Sequence, residues 1–204
     1  MVTLAAIDGG TYFHHQSLYE APFGHYFDER IYVQDVSATD LSACKALLLP
    51  CRLNADLIAV FKDQLVDYMR AGGTLVAMGE TFPDRWLPGI AFTACETNFW
   101  WWVEGLPGPD IQIVDTDHPL MAGMTADHAI WHLHGHFRTS PAQRPLIDEV
   151  GGTLLFEDTK TYAPGRLIAT SLDPMYHHGS HFMPATTRFL DVFLPALRAY
   201  VSKT

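Results

Sequence analysis

The reactive side chains of this 204-residue chain mostly fall just after a short apolar run. His14 and His15 follow Leu4-Ala5-Ala6-Ile7, and Cys51 and Arg52 follow Leu47-Leu48-Leu49-Pro50. Glu80 follows Thr74-Leu75-Val76-Ala77-Met78-Gly79, and Asp173, Tyr176, His177 and His178 follow Leu167-Ile168-Ala169-Thr170. Short apolar runs bounded by turn residues read as strands buried on both faces. In an open α/β sheet, ligands bind in the crevice outside the carboxyl ends of the parallel strands. Four segments therefore carry polar groups to one edge of one sheet.

The periodicity between the runs supports that architecture. Strands are expected over residues 2–7, 31–36, 45–50 and 74–79, with a helix or long loop over 15–27 and a short helical turn at Asp40-Leu41. Residues 55–71 read as a helix: Asn54 caps it, Ile58, Phe61 and Leu65 recur at helical spacing, and Gly72-Gly73 ends it. Strand, helix, strand with short connections implies parallel pairing and right-handed crossovers. Residues 117–123 read as a turn and a short helix, and residues 129–137 alternate as a strand. Residues 153–157 and 166–171 form two more strands joined as a hairpin across Ala163-Pro164-Gly165. A last helix covers about 186–201, with Pro195 bending it or marking its start. The expected fold is a single α/β domain over 1–204, a three-layer flavodoxin-like sandwich. Its sheet is mainly parallel and carries a C-terminal antiparallel extension.

A hydrophobic fraction of 48% suits one compact core, and a net charge of −10 argues against nucleic acid or anionic membrane as partner. The start Met1-Val2-Thr3-Leu4 lacks a basic leader, and no apolar stretch approaches the ~20 residues of a membrane span. A cytoplasmic location is expected. Cys44, Cys51 and Cys95 are odd in number and have no Cys-x-x-Cys spacing, which argues against a disulfide scaffold.

The order of motifs resembles the class I glutamine amidotransferase-like superfamily. The residues that carry the resemblance are Asp40-Leu41, Leu47-Leu48-Leu49-Pro50, a helix, and then Gly72-Gly73-Thr74-Leu75-Val76. Asp117-His118-Pro119-Leu120 with Gly123-Met124 is similar to the trehalose-utilisation-like and β-galactosidase trimerisation-domain branches. Gly165-Arg166-Leu167-Ile168-Ala169-Thr170 with Asp173-Pro174 looks like the family's last strand and turn. In that superfamily the turn after 74–79 bears a nucleophilic Cys, and the last strand leads into His-Pro-Glu. Here the turn reads Met78-Gly79-Glu80-Thr81-Phe82, and Asp173-Pro174-Met175 stands at the second place. Acyl transfer from an amide needs a nucleophile, a base and an orienting group, so glutaminase chemistry is not expected.

The candidate catalytic residues are Glu80, Asp173, His177 and His178; the candidate ligand-binding residues are His14, His15, Cys51, Arg52 and Tyr176. Cys51 ends the strand where the superfamily builds its oxyanion hole, and it is either a displaced nucleophile activated by Arg52 or a buried apolar residue. His132, His134 and His136 share one face if 129–137 is a strand, a spacing that suits a divalent metal as well as a half-exposed strand. Phe99-Trp100-Trp101-Trp102-Val103 cannot all face one side, so part of the run is expected at a homo-oligomer interface or as a platform for a sugar ring. The leading expectation is a small-molecule, carbohydrate-related site at the carboxyl edge of the sheet. The alternatives are a non-catalytic binding or oligomerisation module and a metal-dependent hydrolase.

Overall fold

The computed structural model describes residues 2–96 and 99–203; Met1, where the sequence reading looked for a basic leader, lies outside them, as do Thr97, Asn98 and Thr204. In chain order the elements are β1 (Val2–Asp8), α1 (Tyr12–Leu18), β2 (Glu29–Tyr32), β3 (Cys44–Leu49), α2 (Ala55–Val60), α3 (Lys62–Arg70) and β4 (Thr74–Met78). The irregular middle holds β5 (Phe92–Ala94), β6 (Gln112–Ile113), β7 (Gly135–Phe137), β8 (Gln143–Glu149) and β9 (Gly152–Asp158). The chain closes with β10 (Arg166–Thr170), α4 (Pro174–Gly179) and α5 (Pro184–Ser202).

The strands form one sheet in the order β2-β1-β3-β4-β10-β9-β7-β5, with β8 on β9 and β6 on β8. The first five are parallel, and β9 onward is antiparallel. The order β2-β1-β3-β4-β10 is that of a flavodoxin-like sheet. Alternation along the strands separates two cores. Leu4, Ala6, Ala46, Leu48, Val76 and Ile168 pack on one face with Leu18 of α1, Met175 of α4 and Phe189, Phe193 and Leu197 of α5. Ala5, Ile7, Leu47, Leu49, Leu75 and Leu167 pack on the other with Ile58 of α2 and Leu65 and Met69 of α3. Side chains of successive strand residues point to opposite faces, and that alternation produces the three layers.

Several expectations need correction. The helix expected over 55–71 is two, because the backbone leaves helical values at Phe61 (φ −113°, ψ 18°), where the Phe61 N–H closes a tight turn onto the Ile58 carbonyl. The first helix starts at Tyr12, three residues before the expected 15, with Thr11 accepting from the His14 N–H. The second strand ends at Tyr32 and gives way to a 3₁₀ turn over Val33–Ala38. Residues 129–134 are not a strand; only Gly135–Phe137 is. The antiparallel part is not confined to 153–171: it includes β5 to β8, inserted between β4 and β10. Pro195 lies inside α5 without ending it.

Candidate functional site

Three parallel strand ends meet through one glycine. Gly79 follows β4 at φ +55°, and a Cβ there would stand 2.8 Å from Cβ of Asp173 and 3.1 Å from Cβ of Cys51. Only a residue without a side chain lets the turns after β3, β4 and β10 close on one another at this backbone conformation. Glu80 is the next residue. Arg52, after β3, is itself left-handed (φ 62°), as is Phe82 (φ 49°) in the Glu80 turn. Non-glycine residues hold such values only where the surroundings impose them, and they concentrate at binding sites. Pro174 opens α4 directly after Asp173, and its fixed φ suits a first helical turn. The irregular segment 131–134 supplies the fourth wall.

The side chains converge. Arg52 Nε lies 2.8 Å from Glu80 Oε2, and its guanidinium sits 3.6 Å from the Tyr176 ring centroid. Glu80 Oε1 is 3.8 Å from His134 Nδ1. Asp173 is fully buried; its Oδ1 accepts from the Trp131 indole N–H at 3.2 Å. Its Oδ2 lies 3.3 Å from His134 Nε2, 3.1 Å from His177 Nε2 and 4.0 Å from Arg52 Nη2. His177 Nε2 is also 3.1 Å from His132 Nε2. The approach of His134 Nε2 to Asp173 Oδ2 is a charge contact rather than a directed bond, because neither buried atom has a hydrogen-bond partner.

Burial and charge act against each other here. Burial favours neutral Asp173, but His134 and His177 outweigh it and hold the carboxyl far below the usual range. Burial lowers His134, yet the Asp173 and Glu80 carboxylates raise it above an ordinary histidine on balance. His132 is lowered to about 4, by burial first, with His177, His134 and Arg52 adding to it against Asp173. The centre is therefore a buried carboxylate ringed by imidazoles of unequal basicity. A cleft of about 350 Å³ lined by Arg52, Asn54, Asp56, Glu80, Phe82 and Arg85 opens on one side. Another of about 490 Å³ is lined by Trp101, Trp131 and His132 among others. A larger hollow of about 650 Å³ lies near Gly72 and Gly73, at the opposite end of the strands, away from these groups.

Other sequence candidates stand elsewhere. His14 is buried and fully bonded: its Nε2 donates to the Cys51 carbonyl at 3.0 Å, and its Nδ1 accepts from the Gly9 N–H at 3.0 Å. His15 is exposed, 3.2 Å from Glu20. His178 turns away to Thr187 Oγ1 at 2.9 Å and packs edge-on against Phe23. Cys51 is wholly buried, and burial, with Asp173 adding to it, pushes its thiol far above the ordinary range; that disfavours the thiolate a nucleophile needs. His136 does not join His132 and His134 at the buried carboxylate; it pairs with Glu149 at 2.8 Å, and the strand that would align the three starts only at Gly135. Trp131 was not legible as a site residue, although it stands in the histidine-rich segment that was. The Asp117-His118-Pro119 motif is explained structurally: His118 accepts from the Leu120 N–H at 3.3 Å and meets buried Glu157 at 3.1 Å.

No protein-family model matches this chain, and no curated protein matches its sequence. Solved structures do match its fold. The cytoplasmic protein STM3548 of Salmonella typhimurium is 12% identical with a TM-score of 0.57, over 96% of this chain and 98% of that one. A ThuA-like protein of Bacteroides uniformis is 12% identical with a TM-score of 0.52, over 96% and 90%. A β-galactosidase of Bacillus circulans sp. alkalophilus is 13% identical with a TM-score of 0.55; the match covers 99% of this chain and 31% of that enzyme. The chain thus shares its fold, an α/β sandwich, with a ThuA-like protein and with a segment of a β-galactosidase.

Proposed function

We propose that this chain is a member of the glutamine amidotransferase-like superfamily without glutaminase activity, and that it binds a small hydroxylated molecule of carbohydrate type at the carboxyl edge of its sheet. One observation carries the reading: Arg52, Glu80, His134, Asp173 and His177 come from four separate segments, yet each lies within 4.0 Å of another. Asp173 and Arg52 are held from behind by Trp131 and Tyr176. A pocket whose few polar groups are fixed before the ligand arrives loses less freedom on binding. Carboxylate and guanidinium together accept from and donate to neighbouring hydroxyls, and Phe82 and Trp101 offer apolar walls for a ring. Cys51 contributes packing rather than chemistry, and a cytoplasmic setting fits its free thiol.

The test is a calorimetric and thermal-shift survey of mono- and disaccharides and their acids with the intact chain. A true ligand at a hundred times its Kd stabilises the fold by ~2.7 kcal/mol. Binding should be lost in Arg52→Ala and in Glu80→Gln while both variants stay folded. A blank survey overturns the carbohydrate reading, and binding unchanged in both variants overturns the site. Ammonia release from glutamine should be absent; turnover that disappears in Cys51→Ala would restore a thiol mechanism.

A further inference from the structure

We propose that His132, His134, Asp173 and His177 form a binding site for one divalent transition-metal ion. One donor atom from each lies within 4.8 Å of the other three. His132 Nε2 stands 3.1 Å from His177 Nε2, His177 Nε2 3.1 Å from Asp173 Oδ2, and His134 Nε2 3.3 Å from Asp173 Oδ2. Four donors placed tetrahedrally about 2.0–2.1 Å from a zinc-sized ion stand roughly 3.3 Å apart, so three of the six separations already match a coordination shell and the other three are at most 4.8 Å.

Hydrogen bonding alone does not account for the arrangement. His177 Nε2 carries at most one hydrogen and stands 3.1 Å from both His132 Nε2 and Asp173 Oδ2, so no single tautomer makes a full hydrogen bond to each. His134 Nε2 and Asp173 Oδ2 are buried and have no directed bond. Buried polar atoms are nearly always satisfied, and a central cation satisfies all four lone pairs together. Two of the four ligands also have the outer support expected of a metal site. Trp131 takes the second carboxylate oxygen of Asp173 and leaves the first aimed inward, and Glu80 lies 3.8 Å from the far nitrogen of His134. A carboxylate behind a ligating imidazole fixes its tautomer and raises its basicity. Three imidazoles with one carboxylate suit Zn²⁺, Co²⁺, Ni²⁺ or Fe²⁺ and disfavour Mg²⁺ and Ca²⁺, which take oxygen donors.

The ion would sit on Asp173, His134 and His177 of the candidate site, so this inference rests on that reading for its purpose but not for its test. The test uses the full chain: elemental analysis as purified, then chelator stripping and titration with Zn²⁺ and Co²⁺, reading bound ion and the visible absorption of Co²⁺. One ion per chain is expected, with a tetrahedral Co²⁺ spectrum. It should be lost in His134→Gln, the most accessible ligand, and in His177→Gln. Trp131→Phe should retain the ion with affinity weakened on the order of 10-fold. Circular dichroism checks that each variant is folded, and His134→Gln decides the matter if the buried change at His177 is not tolerated. A folded parent chain that takes up neither ion overturns the site, as does stoichiometric binding that survives His134→Gln. A chain that takes up neither ion but binds a sugar overturns this inference and leaves the carbohydrate reading intact; bound metal with a blank sugar survey does the reverse.

Discussion

His14 shows how a residue of the right type in the right place serves the frame rather than the chemistry. Its ring joins the turn after β1 to the carbonyl of Cys51, and burial lowers its pKa. Both bonds need the neutral ring. Below about pH 6.5, where a free histidine takes up a proton, the unfolded chain binds more protons at this position than the folded one. The contribution of His14 to stability is thus complete above that pH and is lost as pH falls toward its lowered folded value. Replacing it by Ala orphans a buried carbonyl and an N–H, for a cost of about 1–3 kcal/mol per unsatisfied group. Urea unfolding of His14→Ala should show that loss at neutral pH and a shallower decline between about pH 7 and pH 5 than the parent chain; parallel curves would mean that His14 does not titrate with folding. Cys51, buried beside it, should resist alkylation in the native state while partly exposed Cys95 reacts. Mass spectrometry after brief iodoacetamide treatment reads the order directly, and early labelling of Cys51 would contradict its burial.

Among the elements, those that repeat a pattern over several residues were legible and those that do not were missed. The runs at 45–50 and 74–79 announce buried central strands because both faces are covered, so no polar residue interrupts them. β5 and β6 span three and two residues, too short for any period to show. β8 hides because Gln143-Arg144-Pro145 reads as a loop and its pairing with β9 slips at Pro145/Ile147 and again at Ile147/Asp148. α4 is six residues of Pro, Met, Tyr, His, His and Gly, with no apolar stripe of its own, yet its first turn sets His177 over Asp173. The carboxyl-edge placement of Arg52, Glu80 and Asp173 could be read from the strand runs, whereas the approach of 131–134 could not, because an irregular segment carries no period. The joint between β9, β10 and α5 was equally hidden. Glu157, buried, meets His118 at 3.1 Å, Arg166 at 3.3 Å and the Tyr200 hydroxyl at 2.7 Å, and Arg166 also reaches the Tyr200 hydroxyl. Removing one member of a buried charged network strands the others, at about 3–5 kcal/mol. Glu157→Ala should lower the urea midpoint accordingly, and amide exchange should show the C-terminal turns of α5 opening first. A loss below about 1 kcal/mol, the worth of an exposed pair, would mean that water replaces the carboxylate.

For the whole molecule, the fold closes around two cores and still leaves an apolar patch outside both. Trp100 and Trp102 are each 61% exposed, with Phe99, Val103 and Leu106 exposed beside them, while Trp101 turns inward to line the cleft next to His132. Large apolar patches on soluble chains mark contact surfaces. If a second copy covers this one about a two-fold axis, four indoles lose most of their exposed area. At ~150–250 Å² per fully buried aromatic and ~25 cal/mol/Å² the gain is on the order of 10 kcal/mol. The freedom lost on association costs about 4–15 kcal/mol, so at most about 6 kcal/mol is left, a weak dimer that forms at tens of micromolar or above rather than an obligate one. Each chain also carries a net charge of −10, and two such chains repel. Salt screens that repulsion, so association should tighten as ionic strength rises, the reverse of an interface built on opposite charges. Sedimentation velocity at tens of micromolar and above, at low and moderate salt, measures both effects, and the double variant Trp100→Ser, Trp102→Ser should remain monomeric throughout. A parent chain that stays monomeric under these conditions removes self-association, whereas a dimer indifferent to the double variant keeps the assembly and moves its interface away from the tryptophans.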